Sequence, residues 1–203
     1  SAEYQILGQM KLSENVSIID TEGGSYTRTS LSRLDGISLG SRDVLYSKGE
    51  NGVITEMILN DVTGDCAKYG IVTSAKNNSG GMNLSGSYSF LVDGVKESVN
   101  TQSLSYNASV GPASFHYDNG VLSSIKNLDG ISGRATEITD TYAVIGNKTY
   151  PYAASVSVYR YDSSDRTYQA STLAQMKKSS RVTFYSDDDP ENGGRIRIIV
   201  YQS

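Results

Sequence analysis

A chain of 203 residues with 37% hydrophobic residues, 15 Tyr, three Phe and no Trp is too lean for one deep core; it suits several thin ones. A formal charge of -4 with no basic block excludes a general phosphate-binding surface of the nucleic-acid type. No run of about 18 apolar residues occurs, so no membrane insertion by a helix is encoded, and the single cysteine, Cys66, excludes internal disulfides and cysteine-cluster metal sites.

Taken in chain order, the predicted elements are strands separated by tight turns. No export signal is visible ahead of the first strand, Tyr4 to Met10, so a segment of a longer protein is expected. Val16 to Ile19 follows, then Val44-Leu45-Tyr46, the turn pair Asn51-Gly52 and a strand from Val53 to Met57. After a connector from Asn60 to Cys66 come Tyr69 to Thr73 and Ser87 to Val92, the latter ending at Asp93-Gly94. Ala113 to Tyr117 and Val121 to Ile125 flank Asn119-Gly120. Beyond Leu128 to Gly130, Ile131 to Thr136 opens a third series that includes Tyr142 to Ile145, Gly146-Asn147, Val182 to Tyr185, Asn192-Gly193 and Arg195 to Val200. Asn-Gly, Asp-Gly and Gly-Asn pairs accept the positive φ angles of two-residue hairpin turns, and strands joined by such turns run antiparallel. Helical periodicity is confined to Thr172–Lys177, where Thr172 and Gln175 have capping-box spacing and Leu173 and Met176 share a face. The class is all-β.

The pattern recurs. Each third of the chain ends on a strand, an Asn-Gly turn and a closing strand, and each opens on a strand with a nearby glycine: Gly8, Gly70 and Gly133. This predicts three tandem antiparallel β-barrel units of OB-like or SH3-like size, at 1–62, 67–128 and 131–203. Each has about five strands, and the third carries the one short helical turn. The short connectors predict a rigid string rather than loose beads.

The recurring pattern is G-x-V/A-x-x-I, a strand, G-x-x-Y, a strand, L-x-x-M/L, V-x-F-Y, then N-G and a closing strand. It resembles the small β-barrel repeats of secreted Gram-positive bacterial proteins, of the kind associated with S-layer homology domains. Gly133, Ile138, Gly146, Tyr150, Val156, Leu173, Met176, Val182 and the strand ending at Val200 carry the match. Ser179 and Ser180 stand where the family has a glycine, and the first two units match only in part. The resemblance implies a non-enzymatic structural or assembly segment of a secreted protein at the cell surface or cell wall. Its partners would be other surface-layer subunits or cell-wall polysaccharide, and no cofactor comes with it.

The residues offer little chemistry beyond that. The only histidine, His116, lies in a strand beside a hairpin turn, where a solvated cross-strand role is expected, and one histidine excludes a His₂ or His₃ metal site. Cys66 has no second cysteine and no cation cluster, and is read as a small residue in a connector. The acidic turns 187–192 and 162–165 are read as solvated hairpin tips; if calcium binds anywhere, these are its candidate places. Tyr150, Tyr152, Tyr159 and Tyr161 crowd one region; core and cross-strand packing accounts for them, and they are also the candidate contact surface, either for another unit or for stacked sugars, the second option giving the alternative of a carbohydrate-binding module.

Overall fold

A computed structural model describes residues 6–78, 84–177 and 181–202. Tyr4, Ser179 and Ser180, named above, lie outside the described residues. The chain is all-β, folded as three curled sheets, each drawn from one third of the sequence.

The first sheet contains β1 (Ile6–Leu7), β2 (Met10–Glu22), β3 (Ser25–Thr29), β4 (Val44–Lys48) and β5 (Ile54–Asn60). Its order is β1-β2-β5-β4, with β3 also paired to β2. The second contains β6 (Lys68–Asn78), β7 (Ser85–Val92), β8 (Val95–Gln102), β9 (Gly111–Asp118) and β10 (Val121–Asn127), in the order β10-β9-β6-β7-β8. The third contains β11 (Ala135–Ile138), β12 (Tyr142–Ile145), β13 (Lys148–Asp162), β14 (Thr167–Ala170), β15 (Val182–Ser186) and β16 (Ile196–Gln202). There the order is β11-β12-β13-β16-β15, with β14 on β13 and the short helix α1 (Leu173–Met176) between β14 and β15.

The turn pairs behave as their chemistry dictates. Asn51 and Gly52, Asp93 and Gly94, Asn119 and Gly120, and Gly146 and Asn147 all have positive φ. Pairing is antiparallel throughout except at one place in each outer sheet, where β2 lies parallel to β5 and β13 parallel to β16. These partners are not joined by a turn; two strands, one paired to each partner, and the L-x-x-L/M segment lie between them, so the chain has length enough to return in the same direction.

The two outer sheets follow one plan. In the first, the parallel register jumps from Leu12↔Ile54 to Ser17↔Glu56; in the third it jumps from Tyr152↔Ile196 to Ser157↔Ile198. The surplus residues on the long strand form a bulge that bends it, so its first half pairs on one side of the curl and its second half on the other. The helical turn is shared too: Leu31–Leu34 forms a 3-10 turn that buries Leu34 as α1 buries Met176. The α-helical turn itself occurs, as expected, in the third unit. The second sheet is a different object: it is fully antiparallel, β9 crosses back to pair with β6, and it lacks the turn.

Each sheet closes over its own core. Ile18, Ile54, Met57 and Leu59 form the first, Tyr88, Phe90 and Phe115 the centre of the second, and Tyr152, Phe184, Ile196 and Ile199 that of the third. A compact monomer of this mass exposes roughly 9,300 Å²; this chain exposes 12069 Å², as three thin bodies should.

The bodies are not strung in a row. Asn119 N donates to Gly23 O at 2.7 Å between the second and first sheets, and Tyr159 Oη donates to Leu91 O at 3.3 Å between the third and second. Arg33 Nη1 of the first donates to Gly193 O of the third at 2.6 Å. All three pairs touch, so the string expected from the short connectors is replaced by a three-way junction.

Candidate functional site

The junction is built around the connector between the first two sheets. Asp20, on β2, is fully buried and accepts hydrogen bonds from Val62 N (3.1 Å), Thr63 N (2.6 Å) and Thr63 Oγ1 (2.6 Å). A buried carboxylate persists only when its lone pairs are used in this way. Thr63 is thereby fixed with its carbonyl turned to two arginines. That carbonyl receives Arg33 Nη2 at 2.5 Å and Arg197 Nη2 at 2.7 Å.

Asp65 completes the arrangement. Its carboxylate accepts from Arg33 Nε at 3.2 Å and from Arg197 Nη1 at 2.6 Å, joining the first sheet to the third through the connector. Burial alone would raise the Asp65 pKa, but Arg197 and then Arg33 hold it below the usual carboxylate value. Arg197 has a side chain 3% exposed, donates from Nε to Asp187 at 2.6 Å, and lies over the Tyr69 ring at 4.7 Å. Its guanidinium therefore contacts the second sheet, the connector after the first sheet and its own acidic turn. Such planar, multidentate pairing is what arginine does and lysine does not.

A second cluster joins the first sheet to the second. Glu22 ends β2 and is carried to the second sheet by the Gly23-Gly24 turn; any Cβ on Gly23 would collide with the carbonyl of Tyr117. There Glu22 Oε1 pairs with His116 Nδ1, and His116 Nε2 lies 3.0 Å from Ser114 Oγ. The side chains of His116 and Glu22 are only 12% and 16% exposed, so the solvated cross-strand role expected for His116 is corrected: its partner belongs to another sheet. Asp61 stands beside this pair at the mouth of a cleft of about 320 Å³ also lined by Ser114, Lys126 and Asp187. Burial, and then the neighbouring Glu22 charge, raise the Asp61 pKa. The order carboxylate, imidazole, hydroxyl is that of a nucleophile relay. Here Ser114 is 5% exposed and its Oγ also faces the carbonyl of Lys126 at 3.5 Å, so the hydroxyl orients the ring.

The other expected site residues fall elsewhere. Tyr150 and Tyr152 are packed into the core of the third sheet. Tyr159 is 1% exposed and lies in an apolar seam with Tyr69, Ile71, Leu91, Ile198 and Val200, where the second and third sheets meet. Tyr161 flanks that seam with its ring centroid 4.7 Å from that of Tyr168. Tyr161, Tyr168 and Tyr185 line an open cleft of about 480 Å³. The four tyrosines thus sit on two different faces.

Among the acidic turns, Asp187 is engaged by Arg197 and by Arg195 N, and Asp189 by Lys148 Nζ at 2.7 Å. Asp162 Oδ1 accepts from the following Ser164 N, an Asx turn. Cys66 Sγ donates to Asp20 O at 3.3 Å; burial first, then Asp20, Glu22, Asp61 and Asp65, push its thiol up to about 11, leaving it a poor nucleophile.

Arg33, Arg197, Asp65, Glu22 and Asp61 were not singled out from sequence. Only Arg197 carried a local signal: a charge in the inward register of the run Ile196 to Val200 implies a buried partner. No family model, curated protein or solved structure matches the chain.

Proposed function

We propose that the chain is a non-enzymatic assembly segment of a secreted bacterial surface-layer protein, in which β-sheets dock face to face. One observation carries this reading: the same face of the same plan is covered in the third sheet and bare in the first. Ile19↔Ile58 occupies the register position of Tyr159↔Val200, and Thr21↔Tyr26 that of Tyr161↔Tyr168. In the third sheet this face packs against the second sheet. In the first, Tyr26 is 73%, Leu45 70% and Ile58 43% exposed. A contiguous apolar face of this kind marks an interaction surface.

The occupant is a second copy of the chain, first sheet on first sheet. The apolar row is bordered on the same face by Arg28, paired with Ile19, and Glu56, paired with Ser17, so a two-fold contact is complementary in charge as well as apolar. Sedimentation of the intact chain over a concentration series tests this. Association should appear for the native sequence and vanish in Leu45→Lys; a chain that stays monomeric at high concentration, or a variant that associates equally, contradicts it.

The cleft of Tyr161, Tyr168 and Tyr185 supports a second reading, recognition of cell-wall polysaccharide by ring stacking. Binding of wall glycan that is lost in Tyr168→Ala supports it, and unaltered binding counts against it.

A further inference from the structure

We propose that Glu22, Asp61 and His116 form a site for one divalent transition-metal ion of the zinc class, clamping the first sheet to the second. One carboxylate oxygen from each acid and a ring nitrogen of His116 all lie within 4.8 Å of one another. Coordination at about 2 Å draws such atoms together by side-chain rotation alone, without moving a strand. The donor set selects the ion: an imidazole beside two carboxylates suits zinc, cobalt or manganese, whereas calcium prefers oxygen throughout.

The surroundings are those of a prepared ligand set. Asp61 has φ +50, and its amide donates to Thr21 O at 2.9 Å, which fixes it beside the residue that precedes Glu22. Backbone geometry, rather than chance side-chain reach, therefore holds the two acids together. His116 is oriented from behind. With Nε2–H donating to Ser114 Oγ (3.0 Å) and that hydroxyl facing the Lys126 carbonyl (3.5 Å), Nδ1 faces the two acids, and a bound ion takes the place of the proton it otherwise shares with Glu22 Oε1. A ligand histidine whose second nitrogen is held in this way is the usual support for a bound metal. The charge balance points the same way, because Glu22 and Asp61 repel each other with Asp20 nearby and Lys126 opposes them. Asp61 is exposed at the cleft mouth, so an ion has a path in and water can take a remaining coordination position. Cys66 takes no part: its thiol is turned to Asp20 O.

The test uses the intact chain stripped with a chelator, then titrated with Zn²⁺ alone by calorimetry and with Co²⁺ alone by visible absorption. One ion per chain with a micromolar or tighter dissociation constant is expected, with a rise in melting temperature. Asp61→Asn, which alters an exposed side chain and leaves the fold intact by circular dichroism, should weaken binding at least about tenfold. Ser114→Ala should weaken it by about ten- to a hundredfold through the ring it orients. His116→Ala should abolish it and Cys66→Ser should leave it unchanged. Absence of stoichiometric binding, binding indifferent to Asp61→Asn, or binding lost in Cys66→Ser overturns the proposal.

Discussion

The second sheet meets its two neighbours by opposite means. Toward the third it presents Tyr69, Ile71 and Leu91 to Tyr159, Ile198 and Val200, an apolar seam crossed by the hydrogen bond from Tyr159 Oη to Leu91 O and bordered by Arg197 over the Tyr69 ring. Toward the first it offers polar contacts: Glu22 with His116 and Asn119 N with Gly23 O. An apolar seam is non-directional and tolerates small slips, whereas a junction of ion pairs and backbone bonds has one geometry and loses most of its value when any member goes. The seam supplies adhesion and the polar junction supplies the angle. The Arg33–Asp65–Arg197 cluster extends the second principle to the contact of first and third sheets, where the described residues form no apolar seam to share the load.

That contrast can be broken from either side. The largest effect should come from Arg197→Ala, which leaves Asp65 and Asp187 without their main cation and should cost about 3–5 kcal/mol in denaturant unfolding. A loss of under about 1 kcal/mol would show that the cluster is not structural. Ile198→Ala, in the apolar seam at 0% exposure, should cost about 2–4 kcal/mol through lost burial and an unfilled cavity, by the same measurement. The two effects should differ in kind as well: Arg197→Ala should let the sheets reorient, whereas Ile198→Ala should weaken the seam at unchanged geometry.

Acid should discriminate next. Because Asp65 is held below its ordinary value of 3.8, its ionised form is favoured by folding. The stability it contributes is fully present above 3.8 and is lost as the pH falls below it through the folded value. Unfolding midpoints followed downward from pH 5 should therefore drop for the native chain, and Asp65→Asn should flatten that part of the curve. The smallest effect belongs to the bare face: Leu45→Lys should shift stability by less than about 0.5 kcal/mol while removing self-association.

Much of the fold was legible because it is local. Asn51-Gly52, Asp93-Gly94 and Asn119-Gly120 announce their turns through backbone chemistry that needs no tertiary help. The parallel pairs were not legible, since β2 and β5 are distant in sequence and their register depends on a bulge that no residue type demands. The tyrosines were grouped by proximity in sequence, yet counting by twos along β13 separates them: Tyr150 and Tyr152 share a parity with core Val158, and Tyr159 and Tyr161 have the other. The junction was hidden for a different reason. Glu22, Asp61 and His116, or Arg33, Asp65 and Arg197, become neighbours only when separate sheets pack, and apart from Arg197 each alone reads as an ordinary surface group.

The account rests on the three sheets being held as one body by the contacts around Thr63 and Asp65. Spin labels on Glu50→Cys and Ser163→Cys, in a Cys66→Ala background, report the distance between the first and third sheets directly. A single narrow distance distribution, broadened by Arg197→Ala, is the predicted result; a broad distribution in the otherwise native chain would contradict it.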